Sequence, residues 1–339
     1  MTKRLIDGYD GVLADLDGVV YTGPRAIDGA TEALERLAKE GKRLAYVTNN
    51  ASRSSEQVAA HLRELGAPAI AEQVFGSALA GAELLAGQVA EGSTVLVVGS
   101  EALANAVRAQ GLVAVHSAAH PPDAVIDAVI QGFSPELGWK DLAEAAYAVG
   151  AGAVWVATNT DMSLPQERGF APGNGTFVAA VAAATSKTPL VAGKPGAALF
   201  ETAARHSALA RPLVVGDRLD TDILGGNRAE MDTVLVLTGV DSVHSALAAH
   251  VDQRPDFLIG SLAELYEEYP TIKPDGVSYS CGEAVATATA TMVTVSGRED
   301  HLDSWRAACA AWWAMHPKVT PSAAPEVSFT VALSFTVDE

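Results

Sequence analysis

Residues 11–23 read GVLADLDGVVYTG: an apolar run, then Asp15 and Asp17 one residue apart, then Gly18. In an extended strand alternate side chains share one face. A strand continuing through this stretch would therefore bring two carboxylates together at the end of a buried segment. Their repulsion and desolvation would have to be offset by a cation or by strong hydrogen bonds. Asp-Gly is also an ordinary turn signal, so the pair alone leaves open both an acidic turn and a chemical site.

Beyond this stretch, strand-like runs alternate with helical patterns as far as about residue 265. GVLADLD is followed by AIDGATEALERLAKEGK (26–42), where Ala30, Leu34, Leu37 and Ala38 are expected on one helical face. RLAYVTNN (43–50) precedes the helical SSEQVAAHLRELG (54–66), closed by Gly66. PLVVGDRLDTDILGGNRAEMDTVLVLTGV (212–240) repeats the rhythm. Such alternation predicts an α/β fold with a parallel sheet, in which ligands bind beyond the carboxyl ends of the strands. Asp15 and Asp17, the TNN of 48–50 and the Gly-Asp of 216–217 all stand at such ends.

The middle of the chain carries its own strand and helix units, among them STVLVVGSEALANAVRAQGL (93–112), AVIQGF (128–133) and AVWVATN (153–159). If the polar loops share one site, the block 88–187 is an inserted domain; a single continuous doubly wound sheet is the other reading. After about residue 267 the character changes. PTIKPDG (270–276) is expected as a linker, AVATATATMVTVSG (284–297) as a strand, and HLDSWRAACAAWWAMH (301–316) as a helix with Trp305, Ala308, Trp312 and Trp313 largely on one side. This β-α-β appendage shows no coherent catalytic set, and its aromatic helix reads as packing surface.

Bulk properties narrow the function. The 339 residues are 49% hydrophobic, enough for two or three domains. A formal charge of −18 argues against a broad nucleic-acid surface, although a bound cation can reverse the sign of a local site. The two cysteines, Cys281 and Cys309, supply neither a disulfide framework nor a CxxC pattern, which fits a reducing cytosol. MTKRLIDGYD has no apolar stretch of the signal-peptide type, and FVAAVAAATSKT (177–188) is too short to span a bilayer. A soluble cytoplasmic protein is expected.

Four pieces carry chemistry when taken together. A carboxylate such as Asp15 can act as a nucleophile towards phosphorus, and a second carboxyl at Asp17 can protonate a leaving alkoxide and later activate water. Thr48, Asn49 and Asn50 offer a hydroxyl and loop amides for a phosphoryl oxygen, with a simple helix cap as the alternative, although SRSSEQ just beyond holds better caps. Lys194, in VAGKPGAALF (191–200), stands between a strand and a helix beginning past Pro195, where it could neutralise a transferring group. VVGDRLDTD (214–222) presents Asp217, Asp220 and Asp222, whose oxygens with waters suit Mg²⁺.

In this order the pieces resemble the four motifs of the haloacid dehalogenase (HAD) superfamily, in its phosphotransferase form because of Asp17. DLDGVVYTG, TNNASRS, GKP and GDRLDTDI followed by TVLVLTGV are similar to the NagD and p-nitrophenyl phosphatase branch, which carries a large α/β cap between the second and third motifs. The resemblance covers residues 1 to about 265. It implies a Rossmann-like core (1–87 and 188–266), an inserted C2-type α/β cap (88–187) and, outside the pattern, a small α+β extension (267–339). It also implies a Mg²⁺-dependent phosphatase with Asp15 as nucleophile and Asp17 as acid and base. Thr48 and the Asn49 amide would hold phosphoryl oxygens, and Lys194 would offset charge. Mg²⁺ would be held by the Asp15 carboxylate, the Asp17 carbonyl and Asp217, with Asp222 holding a metal-bound water.

NNASRSSEQVAAHLRELG, GSEALANAV, LPQERGFAPGNGTFVAA and GDRLDTDILG are similar to the actinobacterial glycerol 3-phosphate phosphatases, which makes glycerol 3-phosphate the first expected substrate. Phosphoglycolate, pyridoxal phosphate and nucleoside monophosphates are alternatives, and a phosphomutase or a silent phosphate-binding protein would be the rival functions. Substrate choice is expected in ATNTDMSLPQERGFAPGNGTFVAAVAAAT (157–185), through Asp161, Arg168, and Asn174 and Gly175 just ahead of a helical pattern, where free helix N-terminal amides would face a polar ligand. The resemblance also implies a homodimer, through the cap or the extension.

Overall fold

The computed structural model describes residues 3–49, 53–117, 125–166, 168–318 and 323–330. The chain divides into two compact units, Met1–Lys42 with Arg211–Glu339, and Arg43–Ala210.

In the first unit, strands Gly11–Ala14, Pro212–Gly216, Asp232–Val236 and Phe257–Ile259 pair in parallel, with Val12 opposite Leu213, Val214 opposite Thr233 and Leu235 opposite Leu258. Gly11–Ala14 and Pro212–Gly216 are buried at every position, as strands covered on both faces require. Polar residues are thereby driven to the carboxyl edge, where Asp15 and Asp217 follow directly. Helix Ala30–Lys39 buries Ala30, Ala33, Leu34 and Leu37. Ala38, expected on that face, is exposed, because the four buried residues centre their arc about 90° away from it.

The C-terminal region of this unit is a five-stranded sheet rather than a single β-α-β turn. Strands Lys273–Asp275, Ser278–Cys281, Ala284–Ala288 and Met292–Ser296 are joined antiparallel, and Glu326–Thr330 closes the edge in parallel. The segment expected as a linker supplies the first strand; Pro274 is tolerated there because the strand is an edge. The run 284–297 is two strands, folded back where the Thr289 N–H bonds the Met292 carbonyl at 2.8 Å. Helix Leu302–Met315 lies on the inner face. Its Trp305, Ala308, Cys309 and Trp312 form one cluster with Ala286, Val293 and Val295 of this sheet, with Leu235 and Leu258 of the parallel sheet, and with Leu219 in the helical turn after Pro212–Gly216. Trp313, one step round the helix, is half-buried and donates to the Leu247 carbonyl at 3.2 Å.

In the second unit, Arg43–Thr48 pairs in parallel with Val74–Gly76. Between them helix Ser55–Glu64 is capped by Ser54, whose hydroxyl accepts the Gln57 N–H at 3.2 Å while the Gln57 side chain returns to the Ser54 N–H at 2.9 Å. A second, all-parallel sheet runs in the order Leu190–Val191, Val154–Ala157, Ala128–Gln131, Thr94–Val98, Val113–Val115. Leu96, Val98, Val129, Trp155 and Ala157 on one of its faces pack with Ala145 and Val149 of helix Trp139–Ala151 and with Val178 and Val181 of helix Asn174–Thr185. Ser163–Gln166 and Gly169–Pro172 form a hairpin just ahead of the latter helix. Among the described residues no helix is long and apolar enough to cross a membrane, and Cys281 and Cys309 are free and buried.

Candidate active site

Strand Gly11–Ala14 ends one residue before Asp15, whose N–H makes a last bond to the Val215 carbonyl at 2.9 Å. Leu16 then turns into the core, and Gly18 adopts φ +78°, with its N–H on the Tyr21 carbonyl at 2.8 Å. The two aspartates thus stand in a turn beyond the strand, the acidic turn that the sequence left open. Asp15 is half-buried and Asp17 faces solvent. The Thr238 hydroxyl, donating to the Gly18 carbonyl at 2.6 Å, ties this turn to the loop after Asp232–Val236.

Asp217 follows the neighbouring strand and is 2% exposed. Its Oδ2 accepts the Val240 N–H at 2.8 Å, and Asp241 completes the turn by accepting the Leu219 N–H at 2.7 Å. A Cβ at either Gly18 or Gly239 would overlap the Asp217 carboxylate, so both backbones approach it in a way only glycine permits. Asp222 is fully buried on the helical turn Leu219–Ile223 and accepts the Arg218 N–H at 3.2 Å. Asp220, two residues earlier, points outward and holds the Arg218 guanidinium at 3.0 and 2.9 Å.

One oxygen from each of Asp15, Asp217 and Asp222 lies within 4.8 Å of the other two. At an effective dielectric near 20, each pair of charges at that spacing repels by about 3.5 kcal/mol. Three hard oxygen donors, two of them buried, are the environment a small divalent cation such as Mg²⁺ prefers, so the residues fit the metal expected from the sequence. Asp220 does not join them.

The second unit gathers a different set. Thr48 ends strand Arg43–Thr48 and is half-buried; Asn50 lies outside the described residues. The Asn49 carboxamide accepts the Lys194 N–H at 2.8 Å and donates to the Lys194 carbonyl at 3.1 Å and to the Asp161 carboxylate at 3.3 Å. Lys194 is 4% exposed, its ammonium 3.4 Å from the Val47 carbonyl. Arg168 is exposed in the hairpin turn.

Asn174 and Gly175 behave differently from expectation. Asn174 is 1% exposed and donates to the carbonyls of Asn159 and Gln131 at 2.7 and 3.4 Å. The Gly175 N–H is not free but bonds the Asp161 carbonyl at 2.8 Å, because residues 160–163 fold directly over the helix start. Asn159 and Ser77, not picked out from the sequence, both donate to the Asn49 carbonyl, at 2.9 and 2.8 Å. A signal existed for Asn159: VATN at 156–159 repeats the VTN of 47–49 after an apolar strand.

Known proteins are similar to this chain in sequence and fold. A haloacid dehalogenase-like hydrolase model matches residues 12–113, and a second HAD-hydrolase-like model matches residues 191–265. D-glycerol 3-phosphate phosphatase of Mycobacterium tuberculosis is 48% identical over 266 residues, covering 78% of this chain and 73% of that protein. The crystal structure of a glycerol phosphate phosphatase from the same organism, in complex with magnesium, superposes with TM-score 0.84 at 42% identity over 97% of this chain and 95% of its own. A thermostable NPPase from Geobacillus stearothermophilus gives 0.67 at 35% identity, covering 77% of this chain and 98% of its own. The chain belongs to the haloacid dehalogenase-like hydrolase family.

Proposed function

We propose that this protein is a Mg²⁺-dependent phosphomonoester phosphatase that works through an aspartyl-phosphate on Asp15, with glycerol 3-phosphate as its substrate. The convergence of Asp15, Asp217 and Asp222 oxygens within 4.8 Å, next to a solvent-facing Asp17, carries the reading. The similarity to relatives named as glycerol phosphate phosphatases supports the substrate.

Asp15, the Asp17 backbone carbonyl and Asp217 would hold Mg²⁺, with Asp222 steadying a water on it. Bound there, the cation would offset charge on the phosphoryl oxygens. The Asp15 carboxylate forms a bond to phosphorus as the ester P–O bond breaks, and Asp17 gives its proton to the departing alkoxide. Asp17 then takes a proton from the water that attacks phosphorus, which releases phosphate and restores Asp15. Its exposure suits a group that must exchange protons with the medium. Thr48, the Asn49 N–H and Asn50 are assigned to the phosphoryl oxygens, and Lys194 to charge neutralisation. Asp161 and Arg168 are the polar side chains assigned to the organic part of the substrate. Asn174 and Gly175 take part in that assignment by shaping the loop that carries Asp161.

In this reading residues 88–187 are the cap that selects substrate, 1–87 and 188–266 the catalytic core, and 267–339 an extension. The protein acts in the cytoplasm as a homodimer. Phosphate release with and without Mg²⁺ tests the reading across glycerol 3-phosphate, phosphoglycolate, pyridoxal phosphate, nucleoside monophosphates and p-nitrophenyl phosphate. Metal-dependent release, fastest from glycerol 3-phosphate, is expected. A faster alternative ester would overturn the substrate; no release from any ester would overturn the phosphatase.

A further inference from the structure

We infer that the Asn49 side chain is a positioning residue for Lys194 and does not contact substrate, an inference that rests on the phosphatase reading for the role of Lys194. The carboxamide pairs with Lys194 at two points, accepting its N–H at 2.8 Å and donating to its carbonyl at 3.1 Å. A two-point pairing of this kind fixes the orientation of the Lys194 backbone as well as its distance. The amide nitrogen carries two hydrogens. One goes to the Lys194 carbonyl and the other towards the Asp161 carboxylate, 3.3 Å from both oxygens. Reversing the amide would set its oxygen against three acceptor oxygens and its nitrogen against an N–H, so the chemistry admits one orientation.

Asn49 is itself held. Its carbonyl receives the Ser77 hydroxyl at 2.8 Å and the Asn159 amide at 2.9 Å, which occupies both lone pairs. Gly193 shows how close the two loops come: its N–H bonds the Thr158 carbonyl at 2.7 Å, and a Cβ there would sit 2.6 Å from the Asn49 side-chain oxygen. With its donors and acceptor engaged in this way, the carboxamide is a clamp. It locks the start of the Lys194 loop to the ends of strands Arg43–Thr48 and Val154–Ala157. Lys194 is 96% buried, so its ammonium is placed by its backbone rather than by solvent-side freedom. A misplacement of the order of 1 Å in a group that stabilises the transition state can cost about 10²-fold in rate.

The test compares wild type with Asn49→Asp and Asn49→Ala, using p-nitrophenyl phosphate with saturating Mg²⁺ and reading kcat, KM and their pH dependence. At neutral pH both variants should lose about 10- to 100-fold in kcat with KM within about threefold of wild type. Among the described residues the charged side chain bonded to the Asn49 carboxamide is Asp161, and Lys194 meets it through its backbone N–H and carbonyl. When ionised, the introduced carboxyl faces the Asp161 carboxylate and the Lys194 carbonyl without a donor; when protonated it regains one. The ratio of Asn49→Asp to wild-type kcat should therefore rise as pH falls, whereas the Asn49→Ala ratio stays flat. A large rise in KM with kcat retained would show direct substrate contact and overturn the inference, as would unchanged kcat in both variants. If either variant fails to give a wild-type-like thermal transition, Asn49→Ser takes its place on the kcat and KM criteria. A wild-type enzyme without turnover would refute the phosphatase reading, whereas an active wild type with indifferent variants would refute only the clamp.

Discussion

Arg306→Met should destabilise the C-terminal sheet and its helix while leaving their apolar packing nearly intact. The Arg306 side chain is 7% exposed. It donates to the Leu258 carbonyl from Nε and Nη2 at 3.1 and 2.7 Å, to Asp303 at 2.8 Å and to Glu264 at 2.9 Å, with its guanidinium 4.8 Å from the Tyr269 ring centre. Methionine preserves the stem but strands two carboxylates, Asp303 at 15% and Glu264 at 27% exposure. Removing one partner of a buried pair costs about 3–5 kcal/mol. Glu264 is the more exposed of the two and keeps the Gly260 N–H at 2.7 Å, so the loss should sit near the lower end, about 3 kcal/mol. Three of the five tryptophans (305, 312 and 313) lie on this helix, so fluorescence in urea follows this region directly. With an m-value of about 2–3 kcal/mol/M, the midpoint should fall by about 1 M or more at unchanged m. A midpoint within about 0.3 M of wild type, or above it, would refute the reasoning and show that apolar packing replaces the ion network without loss.

Three further outcomes follow from the same geometry. Burial first, and the neighbouring Asp303 next, push the Cys281 thiol up to about 12, and burial raises Cys309 as well. The fold therefore favours both thiols neutral, and stability should be intact below pH 9 and lost as pH climbs from there towards 12, read as a falling urea midpoint, with neither thiol reacting with a disulfide reagent before unfolding. Gly239→Ala would push a methyl into the Asp217 carboxylate, so calorimetry should show Mg²⁺ binding weakened at least about tenfold with the thermal transition still present. Ser54→Ala removes the cap of helix Ser55–Glu64 and should cost about 1 kcal/mol, measured by thermal melting.

What could be seen in advance followed from strong local patterns. The apolar runs before Asp15, Thr48 and Asp217 mark buried parallel strands whose polar successors must emerge at the carboxyl edge, and they do. Of the three acidic residues after Gly216, only the helical turn decides the choice: Asp220 and Asp222 point to opposite sides of it, so one meets Arg218 and the other the carboxylate cluster. Pro274 disguised an edge strand as a linker, because a strand whose outer N–H groups need no partner tolerates proline. Asn49 read as a phosphate ligand from its place after a strand. Its pairing with Lys194, 145 residues away, is a tertiary contact with no local signature.

The most direct measurement on the central claim is chemical trapping at Asp15. The enzyme is quenched during turnover of glycerol 3-phosphate with Mg²⁺, reduced with borohydride and mapped by peptide mass spectrometry. An acyl phosphate on Asp15 should be reduced to homoserine at that position, in amounts that vanish without substrate and in Asp15→Asn. Steady phosphate release with position 15 unmodified at every quench time, or undiminished turnover by Asp15→Asn, would contradict covalent catalysis by this residue.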